Sequence, residues 1–168
     1  MLAHFRQCES DEDLARFTLY FIQNRKDFTS AFTLYDTVDH VLQFVQQSHI
    51  ILIEDDDGTL IGWGHYRYMD KDHGANPNGE IAFVDSVIVK ESYRSSRIFI
   101  QGFRYLANQM AEENPEVKLF QFHALSENLY LNRLYSKFAQ VIATHEGYHG
   151  TENIYSTEFS QLLHYLNR

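Results

Sequence analysis

The chain has 168 residues, 44% of them hydrophobic and 15% aromatic, which excludes a disordered chain and suits a single α/β domain spanning residues 1–168. Its net charge of −9 is concentrated in residues 1–89, where 6 Lys/Arg face 15 Asp/Glu, whereas residues 90–168 hold 8 of each. An acidic half disfavours nucleic acid and favours a cationic small partner, and a single cysteine, Cys8, rules out an internal disulfide or a cysteine zinc cluster.

In chain order, residues 2–7 read as a strand. Ser10 caps a helix whose first turn is acidic (Asp11, Glu12, Asp13) and whose Leu14, Phe17 and Phe21 recur at helical spacing. Thr37 is expected to cap a second helix with Val38, Val41, Leu42 and Val45 on one face. Residues 49–54 and 59–69 flank Asp-Asp-Asp-Gly at 55–58, a hairpin turn. A loop with Pro77 follows, then a strand at 81–89, Ile-Ala-Phe-Val-Asp-Ser-Val-Ile-Val, apolar enough to be buried on both faces.

The polar stretch Lys-Glu-Ser-Tyr-Arg-Ser-Ser-Arg (90–97) leads into a helix over 98–114, with Phe99, Phe103, Leu106 and Met110 down one side and Pro115 closing it. A strand at 118–124, a helix at 128–138 begun by Asn128, a hairpin of 140–146 with 151–159, and a short helix at 160–168 complete the chain. The order is β-α-α-β-β-β-α-β-α-β-β. No run approaches the length of a membrane span, and residues 1–10 carry no signal-peptide core, so a cytoplasmic protein without a membrane partner is expected.

Strand, anion-friendly turn, helix, strand and Asn-led helix, over 80–138, resemble the cofactor half of the GNAT superfamily of acetyltransferases. Three local patterns carry the resemblance. Asp85 stands nine residues before Arg94 of the turn, Asn128 stands seven before Tyr135, and Lys137-Phe-Ala-Gln140 stands where the family has its Lys-x-Gly-Phe ending, with Ala139 and Gln140 in place of the final Gly-Phe. The family turn, Arg/Gln-x-x-Gly-x-Gly/Ala, opens a helix whose free amides hold the pyrophosphate of coenzyme A. Here Arg97 and Phe99 fill the two small positions. Loss of two charge-assisted phosphate bonds costs about 3–6 kcal/mol, roughly 10²- to 10⁴-fold in affinity. In one reading Arg97, Ser95 and Ser96 replace those contacts and Phe99 turns into the core. In the other, a non-catalytic GNAT-like domain has lost coenzyme A and binds another ligand or a protein.

The resemblance implies a GNAT-like mixed, mostly antiparallel sheet flanked by helices. It implies an N-acyltransferase moving an acetyl group from acetyl-CoA to the amine of a small or basic acceptor, with room for a homodimer. Asp85 would be the general base and Tyr135 the acid for the departing thiolate. Val87, Ile88 and Val89 would meet the pantetheine arm, with a strand amide near Val87 at the acyl oxygen. Arg94, Ser95, Ser96, Arg97, Ile98 and Phe99 would face the pyrophosphate, and Asn128 the same arm. Each has a structural alternative: Asp85 paired with Arg94 or His65, Tyr135 in the core, Asn128 as a helix cap. Two arginines near a helix start oppose its dipole, which suggests a visiting anion independently of any family. His145-Glu-Gly-Tyr-His149 matches His-Glu-x-x-His by letters, but its glycine and strand-like flanks make it a hairpin turn, so no metal site is expected.

Overall fold

In the computed structural model, which describes residues 2–168 (Ser96 by its backbone alone), the elements follow the expected order with additions. They are β1 (His4–Gln7), α1 (Asp11–Gln23), α2 (Arg25–Phe28), α3 (Leu34–Gln47), β2 (His49–Glu54), β3 (Leu60–Met69), β4 (Ile81–Val89) and α4 (Ser96–Glu113). Then come β5 (Leu119–Leu125), α5 (Leu129–Tyr135), β6 (Gln140–Gly147), β7 (Gly150–Glu158) and α6 (Phe159–Leu166). A 3-10 turn at Glu91–Tyr93 and the one-turn α2 were not foreseen. The strands form one seven-stranded sheet in the order β1-β2-β3-β4-β5-β7-β6. The pairs β1–β2, β2–β3, β5–β7 and β6–β7 are antiparallel, and β4–β5, joined through α4, is parallel. By chain contacts the molecule divides into two units, Met1–Tyr66 with Ser86–Ile98, and Arg67–Asp85 with Phe99–Arg168.

In the first unit, Ser10 caps α1 by accepting from the Asp13 amide, as expected. Helix α3 departs from the reading. It begins at Leu34 under a capping box of Thr33 and Asp36, and Thr37 lies inside it, fully buried, its hydroxyl donating to the Thr33 carbonyl at 2.8 Å. Thr37, Val41 and Phe44 face the core, while Val38, Leu42 and Val45 are exposed. The sequence offers two apolar stripes, and the aromatic one wins. Phe44 stacks on Phe21 (6.2 Å, 3°) and His65 (3.7 Å, 29°) and meets Trp63, an aromatic payload that Val38 and Leu42 cannot match. Gly58, at φ 76°, makes the β2–β3 turn.

In the second unit, α4 places Phe103, Leu106, Ala107 and Met110 in the interior, and Phe103 packs edge-on to Phe120 and Tyr135. The buried side of α4 opens with Ile98 rather than Phe99, which is only half-buried. Strand β5 sends Phe120 and Phe122 to that aromatic side and Gln121 and His123 to the other, as period-two alternation requires. Along the β6–β7 ladder the register shifts between Val141 and Ala143, a bulge in β6.

Candidate functional site

The β4-to-α4 turn lies in the first unit. A Cβ on Gly62 would collide with the Ile88 carbonyl oxygen, and one on Gly64 would stand 3.2 Å from the Ser86 carbonyl oxygen. Both carbonyls therefore lie against β3, and strand alternation turns the backbone groups of Val87 and Val89 the other way. The Val89 carbonyl accepts from Arg94 Nε at 2.8 Å, and Arg94 Nη2 donates to the Asp27 carbonyl at 3.2 Å. Arg94 thus folds back to tie the strand end to α2. Ser95 caps α4, its Oγ accepting from the Ile98 amide at 3.3 Å. Ile98 packs with Ile53, Ile61 and Val89, with Val87 and Tyr93 at the margin. Arg97 is exposed in the first turn of α4, where the helix dipole makes a cation costly without an anion beside it. The side chain of Ser96 lies outside the described residues.

Asp85 belongs to the second unit. Where the sequence reading named Arg94 or His65 as its partner, the structure supplies Arg67, whose Nε and Nη2 donate to the two carboxylate oxygens at 3.1 and 3.3 Å. His65 Nδ1 instead contacts Ser48 Oγ at 3.2 Å. Burial raises the Asp85 pKa above the ordinary carboxylate value, outweighing the charge and hydrogen bonds of Arg67. A carboxylate made more basic in this way suits proton abstraction better than a solvated one.

Beside Asp85 stands a polar group formed by His123, Glu152 and His145, whose association the sequence reading did not anticipate. His123 Nε2 lies 2.5 Å from the Asp85 carbonyl oxygen, its Nδ1 lies 3.0 Å from Glu152 Oε2, and His145 Nε2 stands 3.5 Å from that same oxygen. The available signal was the polar alternation of β5, in which Gln121 and His123 sit between Phe120, Phe122 and Ala124. Pairing of β5 with β7 then brings Glu152 alongside, which one segment alone cannot reveal.

On α5, Asn128 is the N-cap, its Oδ1 accepting from the Leu131 amide at 3.1 Å, and it is exposed. Tyr135, at the other end of the helix, is 5% exposed and walled by Phe122 (4.7 Å), Phe103 (5.6 Å) and Tyr155 (5.6 Å). Burial, with Tyr155 and Tyr130 nearby, raises its phenol well above the usual range, so it remains protonated at neutral pH. His145 lies on β6 and His149 in the turn before β7, a hairpin as read. Among the described residues no group of three or more His, Cys, Asp or Glu side chains could hold a metal. A cavity of about 790 Å³ in the second unit, lined by Lys137, Gln140, Glu158, His164 and Tyr165 among others, includes none of the anticipated site residues. No helix among the described residues is long and apolar enough to cross a membrane.

The sequence matches no protein-family model and no curated protein. Solved structures do match. The aminoglycoside acetyltransferase AAC(6')-Ib, in complex with coenzyme A and kanamycin, is 15% identical over 95% of this chain and 96% of that one, with a TM-score of 0.69. A spermidine N-acetyltransferase SpeG chimera from Vibrio cholerae and hSSAT is 12% identical over 97% and 99%, with a TM-score of 0.68. A ribosomal-protein alanine acetyltransferase from Vibrio fischeri is 13% identical over 93% and 92%, with a TM-score of 0.66. The chain therefore has the fold of the GNAT acetyltransferases. At these identities the likeness establishes the fold, and the chemistry has to be argued from the side chains.

Proposed function

We propose that residues 1–168 act as one cytoplasmic catalytic domain, an N-acyltransferase that moves an acetyl group from acetyl-CoA to the amine of a small or basic acceptor. The observation that carries this reading is the end of β4. Val87 and Val89 turn backbone groups away from β3, and the strand continues into a helix start capped by Ser95 and carrying an exposed Arg97. Strand groups for an extended amide arm, followed by a helix N-terminus and a cation for a diphosphate, fit coenzyme A. Val87, Ile88 and Val89 would hold the arm, with Asn128 near it. Ser95, Ser96, Arg97, Ile98 and Phe99 would face the diphosphate, and Arg94 would shape that turn from behind.

The bound thioester supplies an activated acyl group. Asp85, raised by burial, would take the proton of the attacking amine directly or through water, and Tyr135, protonated at neutral pH, would return one to the thiolate. Relatives in fold named for aminoglycoside and spermidine substrates support a polyamine-like or aminoglycoside-like acceptor, and so does the acidic excess of residues 1–89. A homodimer is compatible with this reading.

The filled positions Arg97 and Phe99, with Phe99 half-buried, favour the second reading, a non-catalytic domain. Calorimetric titration with acetyl-CoA separates the two. We expect saturable heat for the wild type and tighter binding for Arg97→Gly/Phe99→Gly if those side chains crowd the diphosphate. A folded protein that gives neither heat nor thermal stabilisation at millimolar acetyl-CoA would rule out acyl transfer.

A further inference from the structure

Helix α3 carries a second apolar stripe that the fold leaves on the outside. Thr37, Val41 and Phe44 are buried, whereas Tyr35, Val38, Leu42 and Val45 remain 80%, 41%, 59% and 38% exposed. At about 100° per residue the exposed four centre roughly 120° around the helix from the buried three. Their spacing is three, four, three, so they occupy the a and d positions of two successive heptads, the seam by which one helix packs on another. Apolar residues scattered singly over a surface are ordinary, but four in one helical seam form a patch.

The register of the four selects the occupant. Their positions are symmetric about residue 40. Set antiparallel against a copy of itself, with a two-fold axis level with His40, α3 brings Tyr35 against Val45 of the second copy and Val38 against Leu42. Each layer joins an a position to a d position, and no seam residue is left over. Parallel pairing would lay the two helix dipoles side by side with like ends together. The helix carries no Lys or Arg, and both of its carboxylates bond near themselves: Asp36 in the capping box with Thr33, and Asp39 accepting from Gln43 Nε2 at 3.0 Å. We propose that this face of α3 is a self-association surface, a short antiparallel seam between two copies of the chain. The pairing is apolar and is opposed by the charge of −9 on each copy, so it tightens as salt screens that repulsion. The exposed seam offers roughly 400 Å² of apolar side chain per copy, against about 800 Å² per partner in a stable complex, so the dimer is transient. This inference stands apart from the acyl-CoA reading, and neither falls with the other.

The test uses the full chain. Analytical ultracentrifugation from about 10 μM to about 2 mM should show a monomer–dimer equilibrium with a Kd of about 0.1–1 mM, lower at high salt. Leu42→Lys and Tyr35→Ser alter exposed positions, keep the fold, and should each weaken association about tenfold or more. Cross-linking reads the register. In a Cys8→Ala background, a mixture of Val38→Cys and Leu42→Cys should form disulfide-linked dimers faster than either variant alone, because the antiparallel seam sets those two positions opposite each other. Faster linking of one variant to itself overturns that seam. A chain that stays monomeric over the whole range overturns the proposal, as does association that persists unchanged in both Leu42→Lys and Tyr35→Ser. Association abolished instead by Val141→Lys, on the exposed β6, overturns it too.

Discussion

Asn132 joins α5 to β5 and β7, and its removal tests how the second unit holds that helix. Its Oδ1 accepts from the Tyr155 hydroxyl at 2.6 Å and from Asn153 Nδ2 at 2.8 Å, while its Nδ2 donates to the carbonyls of Leu125 and Asn128, each at 2.8 Å. Tyr155 is 1% exposed, so Asn132→Ala leaves a buried hydroxyl whose remaining acceptor is the Asn132 carbonyl, 3.4 Å away. Orphaning that hydroxyl and the Asn153 amide should cost about 2–4 kcal/mol. For a chain of this length that lowers Tm by roughly 4–16 °C. The assay is thermal and urea unfolding of Asn132→Ala, Tyr155→Phe and the double variant. Because the loss comes mainly from the stranded hydroxyl, Tyr155→Phe should be far less harmful, or even stabilising, in the Asn132→Ala background than in the wild type. Additive single effects, or an Asn132→Ala loss below about 1 kcal/mol, would refute the reasoning.

Three further outcomes are expected. Gly62→Ala places a methyl group on the Ile88 carbonyl and should destabilise by about 1–3 kcal/mol; under the acyl-CoA proposal it should also weaken acetyl-CoA binding, which calorimetry on the folded fraction would detect. Asp13 is held near a pKa of about 2, chiefly by two hydrogen bonds from Arg6, so its contribution is complete above the ordinary value of 3.8 and is lost as pH falls towards about 2. With Arg6 39% exposed, screening limits that contribution to about 1–2 kcal/mol, and urea unfolding of Asp13→Asn should lack this acid-side loss. On α3, Leu42→Lys should stay within about 0.5 kcal/mol of the wild type, whereas Phe44→Ala should lose about 3–5 kcal/mol; equal losses would restore the face first read from the sequence.

What the sequence disclosed divides along physical lines. Local signals were readable: the Ser10 cap, the Asp55–Gly58 turn, the apolar β4 and the Asn128 cap all depend on neighbours a few residues away. Thr37 misled because α3 carries apolar residues on two sides, and only Phe21, Trp63 and His65, brought in by other elements, decide which side turns inward. The candidate site shows the same division. Asp85, Tyr135 and the turn residues were named through the family resemblance, whereas Arg67 reaches Asp85 only through strand pairing, and Glu152 reaches His123 only across β5 and β7. Arg94 was read as a ligand for phosphate, yet two of its bonds go to main-chain carbonyls, a use of arginine that spacing does not reveal.

The bulge in β6 bears on behaviour at high concentration. This strand is the sheet's outer margin, and Val141 and Ile142 lie bare there, 47% and 55% exposed. A margin so greasy would invite neighbouring molecules to stack onto it, edge against edge. The misstep between Val141 and Ala143 breaks the template just where it is stickiest, so the protein guards against fibril-like growth by geometry rather than by charge.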